Sequence, residues 1–162
     1  LPLIPVFADR ILSVSPSLMG LLGACPGIGA AVGSFFIATR SEISKKSRYY
    51  IFGTLGALAF LQIFALSTHY SLSVAALICA GLGTAGFGTM QATLILTSVP
   101  STMRGRAMGL QNTIIGVLPL GMLVLGAVAE IAGPARAVSI SASLGFILIA
   151  LWSYKAKALR QV

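Results

Sequence analysis

Charge is what this sequence most lacks. Its 162 residues carry eleven Lys and Arg and only three Asp and Glu, whereas a water-facing domain gives about a quarter of its residues to charge. So few charges cannot wet the surface of a soluble globule. Acids and histidine are scarcest: Asp9, Glu42, Glu130 and His69 are the whole set. None lies in the middle of an apolar run, so there is no mid-membrane carboxylate, no histidine pair and no metal cluster. No Ser or Cys has a plausible base, and no phosphate-binding loop occurs. The sequence therefore points to no enzyme, no metal and no cofactor. Cys25 and Cys79, the only cysteines, lie far apart inside apolar runs and fit packing better than a redox or metal motif.

What the sequence has in quantity is long apolar runs. Hydrophobic residues make up 57% of the chain, and the mean hydropathy is +0.97. Runs nearly free of charge, each about 20 residues long, suit a bilayer crossing. They fall at 16–39, 49–67, 73–97, 108–130 and 137–154. Inside lipid a helix satisfies all its backbone polar groups by itself. Barrel strands would alternate polar and apolar over about ten residues, which these runs do not do. The opening LPLIPVFADRIL, residues 1–12, reads as the end of a helix whose beginning is missing. The expectation is an all-α polytopic transmembrane bundle, one domain over 1–162, with about five complete spans plus the end of a sixth, as a fragment of a longer protein.

The net charge of +8 raises the question of a nucleic-acid partner, and its distribution answers it. The basic residues sit between apolar runs without interleaved aromatics, so no nucleic acid is implied and the lipid bilayer is the partner. If five helices cross in turn, Arg40, Lys45, Lys46, Arg48, Arg104, Arg106, Lys155, Lys157 and Arg160 share one side, and only Arg10 and Arg136 lie on the other. The positive-inside rule then makes the first side, with the carboxyl terminus, cytoplasmic. Gly23 with Gly27, and Gly29 with Gly33, form small-xxx-small pairs, and Gly81, Gly83, Gly86 and Gly88 crowd the third span. Small residues let helices approach closely in lipid.

Three groups of residues are functional candidates. Thr84, Gly88 and Gln91 recur at i, i+4 and i+7 and so share a helix face. That face either lines a substrate cavity or makes interhelical hydrogen bonds. Arg104, Gly105 and Arg106 open the fourth span, where the arginines either set topology or pair with a partner helix and gate the cytoplasmic face. Pro119 removes a backbone donor inside that span and should kink it, with Gly116 and Gly121 beside it; the kink is a hinge or simply a bent packing shape. Gln62 reads as glue between helices, Gln111 and Asn112 as interfacial, and Glu130 as a cap or a partner of Arg136. The residues alone stop at a membrane bundle, and a scaffold protein packing through its glycine faces remains an alternative.

A family resemblance carries the reading further. In VPSTMRGRAMGLQNTIIGVLPLGMLVLGAVAEIAGPARAV, the pattern P-x-x-x-R-G-R-x-x-G entering a helix precedes P-L-G and A-E-x-x-G-P. The carrying residues are Pro100, Arg104, Gly105, Arg106, Gly109, Pro119, Gly121, Gly126, Glu130, Gly133 and Pro134. This stretch resembles the tenth-to-twelfth helix region of the major facilitator superfamily, within it the bacterial drug and siderophore exporter branch. The opening segment, with Gly20 and Gly29 to Gly33, resembles the end of helix seven and helix eight. In the loop that follows, Ala38 and Thr39 stand where the family's loop motif often has an acid, which puts a gating salt bridge there in doubt. The resemblance implies the carboxyl-terminal half of a secondary transporter in the bacterial inner membrane. That transporter would export a small-molecule substrate by proton antiport with alternating access, together with the missing amino-terminal half.

Overall fold

The computed structural model describes residues 3–39 and 46–155, with the side chains of 46–48 and 155 left aside. The basic loop at 40–45, with Arg40 and Lys45, and the tail at 156–162 lie outside the described residues. The described residues are 90% helical with no strand, and among them five helices are long and apolar enough to cross a membrane. It is an all-α transmembrane bundle, as its composition requires.

The helix limits follow local chemistry. Helix α1 (Ile4–Arg10) carries Pro5 in its first turn, where a missing N–H costs nothing. The chain then turns through Ser13, at φ 49°. Ser15 is held extended by the proline after it, and Pro16 opens α2 (Pro16–Ala38). Helix α3 (Lys46–Leu66) is joined by a three-residue turn to α4 (Tyr70–Ser98), the longest. Val99 is extended ahead of Pro100, and this stops α4. A 3-10 turn (Ser101–Met103) leads into α5 (Arg104–Gly116) and α6 (Leu118–Ala132). Gly133, at φ 88° and ψ 154°, adopts a backbone conformation open essentially to glycine alone. Pro134 then opens α7 (Pro134–Lys155).

Helix α4 is the centre of the bundle, with α2 and α3 packed on it, while α7 packs on α3 and α6 packs on α7. Glycine sets both crossings of α4. A Cβ on Gly29 would stand 2.0 Å from the Ile78 carbonyl oxygen, and one on Gly81 would stand 2.3 Å from that of Pro26. On the α3 side, Gly83 meets Gly53 and Ala57, and Gly86 meets Tyr49 and Gly53. The backbones touch directly, as membrane helices with small residues do. Gly23, Gly27 and Gly88 have nothing within 4 Å of a would-be Cβ, so the Gly23–Gly27 pair takes no part in a crossing.

One end of the bundle is closed by α1. Phe7 and Phe64 stack with ring centroids 4.3 Å apart, and Leu22, Cys25, Leu77, Ala129, Ala137 and Val138 fill in around them. Ser67 and Ser73 hydrogen-bond to each other within this buried end, and the Tyr70 hydroxyl donates to the Leu18 carbonyl. The outer surface is the reverse of a soluble protein's: Phe36, Phe52, Leu123 and Leu151 are more than half exposed. An apolar surface of this extent belongs against lipid.

Candidate functional site

Two of the three faces of α4 are consumed by packing, and the third is open. Gly81 and Ala85 face α2, and Gly83 and Gly86 face α3. Thr84 and Gly88 lie exposed between these two faces, with Gln91 half-buried one turn further on. The helix periodicity that places the three on one face also turns that face away from both neighbours.

The side-chain hydrogen bonds along α4 are unequal. In lipid a hydroxyl must find a partner, and the nearest is a carbonyl of its own helix. Thr84 donates to Gly81 at 2.7 Å, Thr89 to Ala85 at 2.5 Å, Thr93 to Thr89 at 2.9 Å and Thr97 to Thr93 at 2.8 Å. The Gln91 carboxamide makes no such bond, nor any other among the described residues. Gln111 is in a similar position, with an Oε1 that is buried and without a partner. Its place in the sequence suggests the interface; the burial of this oxygen comes from how α5 sits, which periodicity does not report. By helix rise, Gln91 and Gln111 stand at similar depth, each roughly 10–12 Å from the turn joining α4 to α5.

The span after that turn is broken in its middle. Val117 separates α5 from α6, at φ −80° and ψ −12°. Its N–H donates to Ile114 at 3.2 Å, and its own carbonyl accepts from Leu120 at 3.0 Å. Both bonds are of the tighter i→i+3 kind. Pro119 is the cause, because it has no N–H to return to the Ile115 carbonyl. Gly116 and Gly121 flank the break with nothing within 4 Å. Among the described residues helix α5 packs on its chain neighbours α4, the 3-10 turn and α6, and Ala129 alone of Ser101–Ala132 is buried.

Arg104 and Arg106 are exposed at the start of α5. The Arg104 Nε donates to the Val99 carbonyl at 3.4 Å, so a cation sits at the carboxyl end of α4, where the helix dipole favours it. Gly105 has open space around it. At the opposite end of the bundle no ion pair joins Glu130 to Arg136 among the described residues; both are exposed. Gln62 bridges helices, donating to the Ser139 hydroxyl of α7 at 2.5 Å. The three candidate groups thus follow one another along α4, α5 and α6, on surfaces that no other described residues cover.

A family model described as Major Facilitator Superfamily matches residues 1–160. The chain is 28% identical over 150 residues to the enterobactin exporter EntS of Escherichia coli O1:K1 (APEC), and equally to that of Escherichia coli O45:K1 (strain S88, ExPEC). Each alignment covers 91% of this chain and 35% of the relative, so the chain spans about a third of the length of these curated relatives. No solved structure matches it significantly.

Proposed function

Because the chain belongs to the major facilitator superfamily, we propose that it forms the carboxyl-terminal half of a secondary exporter, with α4 lining the substrate path. The observation that carries this reading is the unpaired Gln91 carboxamide on the one uncovered face of α4, level with the unpaired Gln111. Two unsatisfied amides within a span are costly unless something bonds to them. A small, polar-functionalised molecule crossing between two halves would do so, on the cytoplasmic side of a broken helix. The similarity to enterobactin exporters makes a siderophore or drug-like compound the substrate class to test first.

In this reading the chain lies in a bacterial inner membrane with its carboxyl terminus cytoplasmic, as the nine-to-two distribution of Lys and Arg favours. Transport proceeds by alternating access, driven by proton antiport. A proton carrier needs a titratable group within the membrane, and Asp9 and Glu130 flank the spans. The titrating group is therefore assigned to the other half, and this half supplies binding surface and moving scaffold. The scaffold alternative is disfavoured because Gly29, Gly33, Gly53, Gly81, Gly83 and Gly86 are already occupied by helices of the same chain. The similarity to exporters likewise points to transport in preference to catalysis.

The test is export of siderophore or drug by the intact protein carrying Gln91→Leu or Gln111→Leu, with membrane insertion followed by immunoblot. Each variant is expected to insert normally and to lose export several-fold. Undiminished export by both would overturn the placement of the path along α4.

A further inference from the structure

A second feature lies on the side of the bundle away from the α4 face. Helices α3 and α7 border an open groove of about 490 Å³ lined by Leu58, Ala59, Ile63, Phe146 and Ile147, with Gln62 and Ser143 in its wall. A second cavity of about 320 Å³ continues it past Leu66 to Ser139 and Arg136. Small residues make the hollow. The helices meet where Gly145 faces Leu58, and Ala59, Ala142 and Ser143 leave the space beside that contact unfilled.

The groove changes character along its length. One end carries the Arg136 cation, which has no ion pair among the described residues. Next come Ser139 and Gln62, with the Gln62 Oε1 accepting from Ser143 at 3.5 Å. Ser139 already accepts from Gln62, so its own proton remains to be given, as does the second amide proton of Gln62. Arginine has only donors. The polar end therefore presents the Arg136 cation and two unused protons, on Ser139 and Gln62, beside one free lone pair on each of those oxygens, and the rest is hydrocarbon. From Arg136 to Ile147 is roughly 16 Å at the helix rise, about half of a 30 Å hydrocarbon core, the depth of one leaflet.

We propose that the α3–α7 groove holds one anionic phospholipid of the surrounding leaflet. Its phosphate sits on Arg136, its acceptor-only ester oxygens take the Ser139 and Gln62 protons, and an acyl chain runs along Leu58, Ile63, Phe146 and Ile147. The site depends only on α3 and α7 crossing the bilayer, so it stands or falls separately from the transport reading.

Native mass spectrometry of the intact detergent-purified protein, titrated with phosphatidylglycerol or phosphatidylcholine, tests it. One phosphatidylglycerol should be retained about fivefold more tightly than phosphatidylcholine, the gain one basic side chain gives toward an anionic lipid. Arg136→Gln should remove that preference, Arg136→Lys should keep it, and Arg10→Gln, at another exposed cation, should leave it intact. Ala59→Phe, which fills the groove from an exposed position, should weaken both lipids. Equal retention of the two lipids by the unaltered protein would overturn the proposal, as would a preference that survives Arg136→Gln. Protein dimers in place of lipid adducts would assign the groove to a second copy. Displacement of the lipid by inorganic phosphate alone would reduce the site to an anion contact.

Discussion

Replacing Gly29 by alanine adds one methyl group, and the structure says that it has nowhere to go. The new carbon would lie 2.0 Å from the Ile78 carbonyl oxygen, 2.9 Å from its carbon and 3.0 Å from the Gly81 Cα. Carbon and oxygen in ordinary contact stand about 3.3 Å apart, so the backbones of α2 and α4 must separate by roughly 1.3 Å. Overpacking of this kind costs about 1–3 kcal/mol. Here the neighbour is backbone, so no rotamer change relieves it, and the upper part of that range applies. Alanine returns about 1 kcal/mol through its better helix propensity, leaving a net loss near 2 kcal/mol. Gly27→Ala on the same helix is the matched control, because nothing lies within 4 Å of its Cβ. Thermal unfolding of the intact protein in detergent, followed by fluorescence-detected size exclusion, should show Gly29→Ala lowering the midpoint by about 5 °C. Gly27→Ala should leave it unchanged or raise it. Ile78→Ala should not rescue Gly29→Ala, since the obstacle is a carbonyl. Equal midpoints for the two alanine variants would refute the close crossing of α2 and α4.

Other outcomes follow from the same geometry. Gly33→Ala should be destabilising but partly rescued by Ala85→Gly, because there the nearest atom is the Ala85 Cβ at 2.8 Å; a double variant no more stable than the single one would show the contact to be elsewhere. With Cys25 and Cys79 replaced, a cysteine at Ser101 should label only from the cytoplasm and one at His69 only from outside, and reversed labelling would invert the topology. Exchanging Arg104 and Arg106 together for lysine keeps the charge but loses the planar fork. Insertion should persist and export should fall, and normal export would leave the arginines as topological charges. Pro119→Ala restores the donor to the Ile115 carbonyl, so the helix should straighten and the unfolding midpoint rise while export falls; unchanged export would make the break a packing shape.

Hydropathy made the bundle legible because lipid imposes one rule on every span: apolar outside, backbone satisfied within. The run containing Pro16–Ala38 could be read as a helix from charge and length alone. Partner choice is a different matter. Gly23 with Gly27 and Gly29 with Gly33 have the same spacing, yet only the second pair meets α4. Which glycines matter depends on the rotation of α2 about its axis, and a helix apolar all round carries almost no sequence signal for that rotation. Gly53 fell outside the reading for the same reason, since its role appears only when Gly83 and Gly86 lie against it.

The open face of α4 could be read for a related reason, and its meaning is sharper in three dimensions. Thr84, Gly88 and Gln91 share a face by arithmetic, which says nothing about what covers it. The structure shows both flanking faces consumed and separates the residues by chemistry. Thr84 returns its proton to Gly81, as Thr89, Thr93 and Thr97 return theirs one turn back, so a substrate would have to compete for it. Gln91 makes no such bond among the described residues, and the Gln111 oxygen accepts none. The hydroxyls thus let the helix persist in lipid, while the carboxamides carry bonding capacity that the described residues leave unused. Thr84→Val should therefore cost export less than Gln91→Leu does, since the valine surrenders only an intrahelical bond. If the two substitutions reduced export equally, the unused amide would not be what the substrate path depends on.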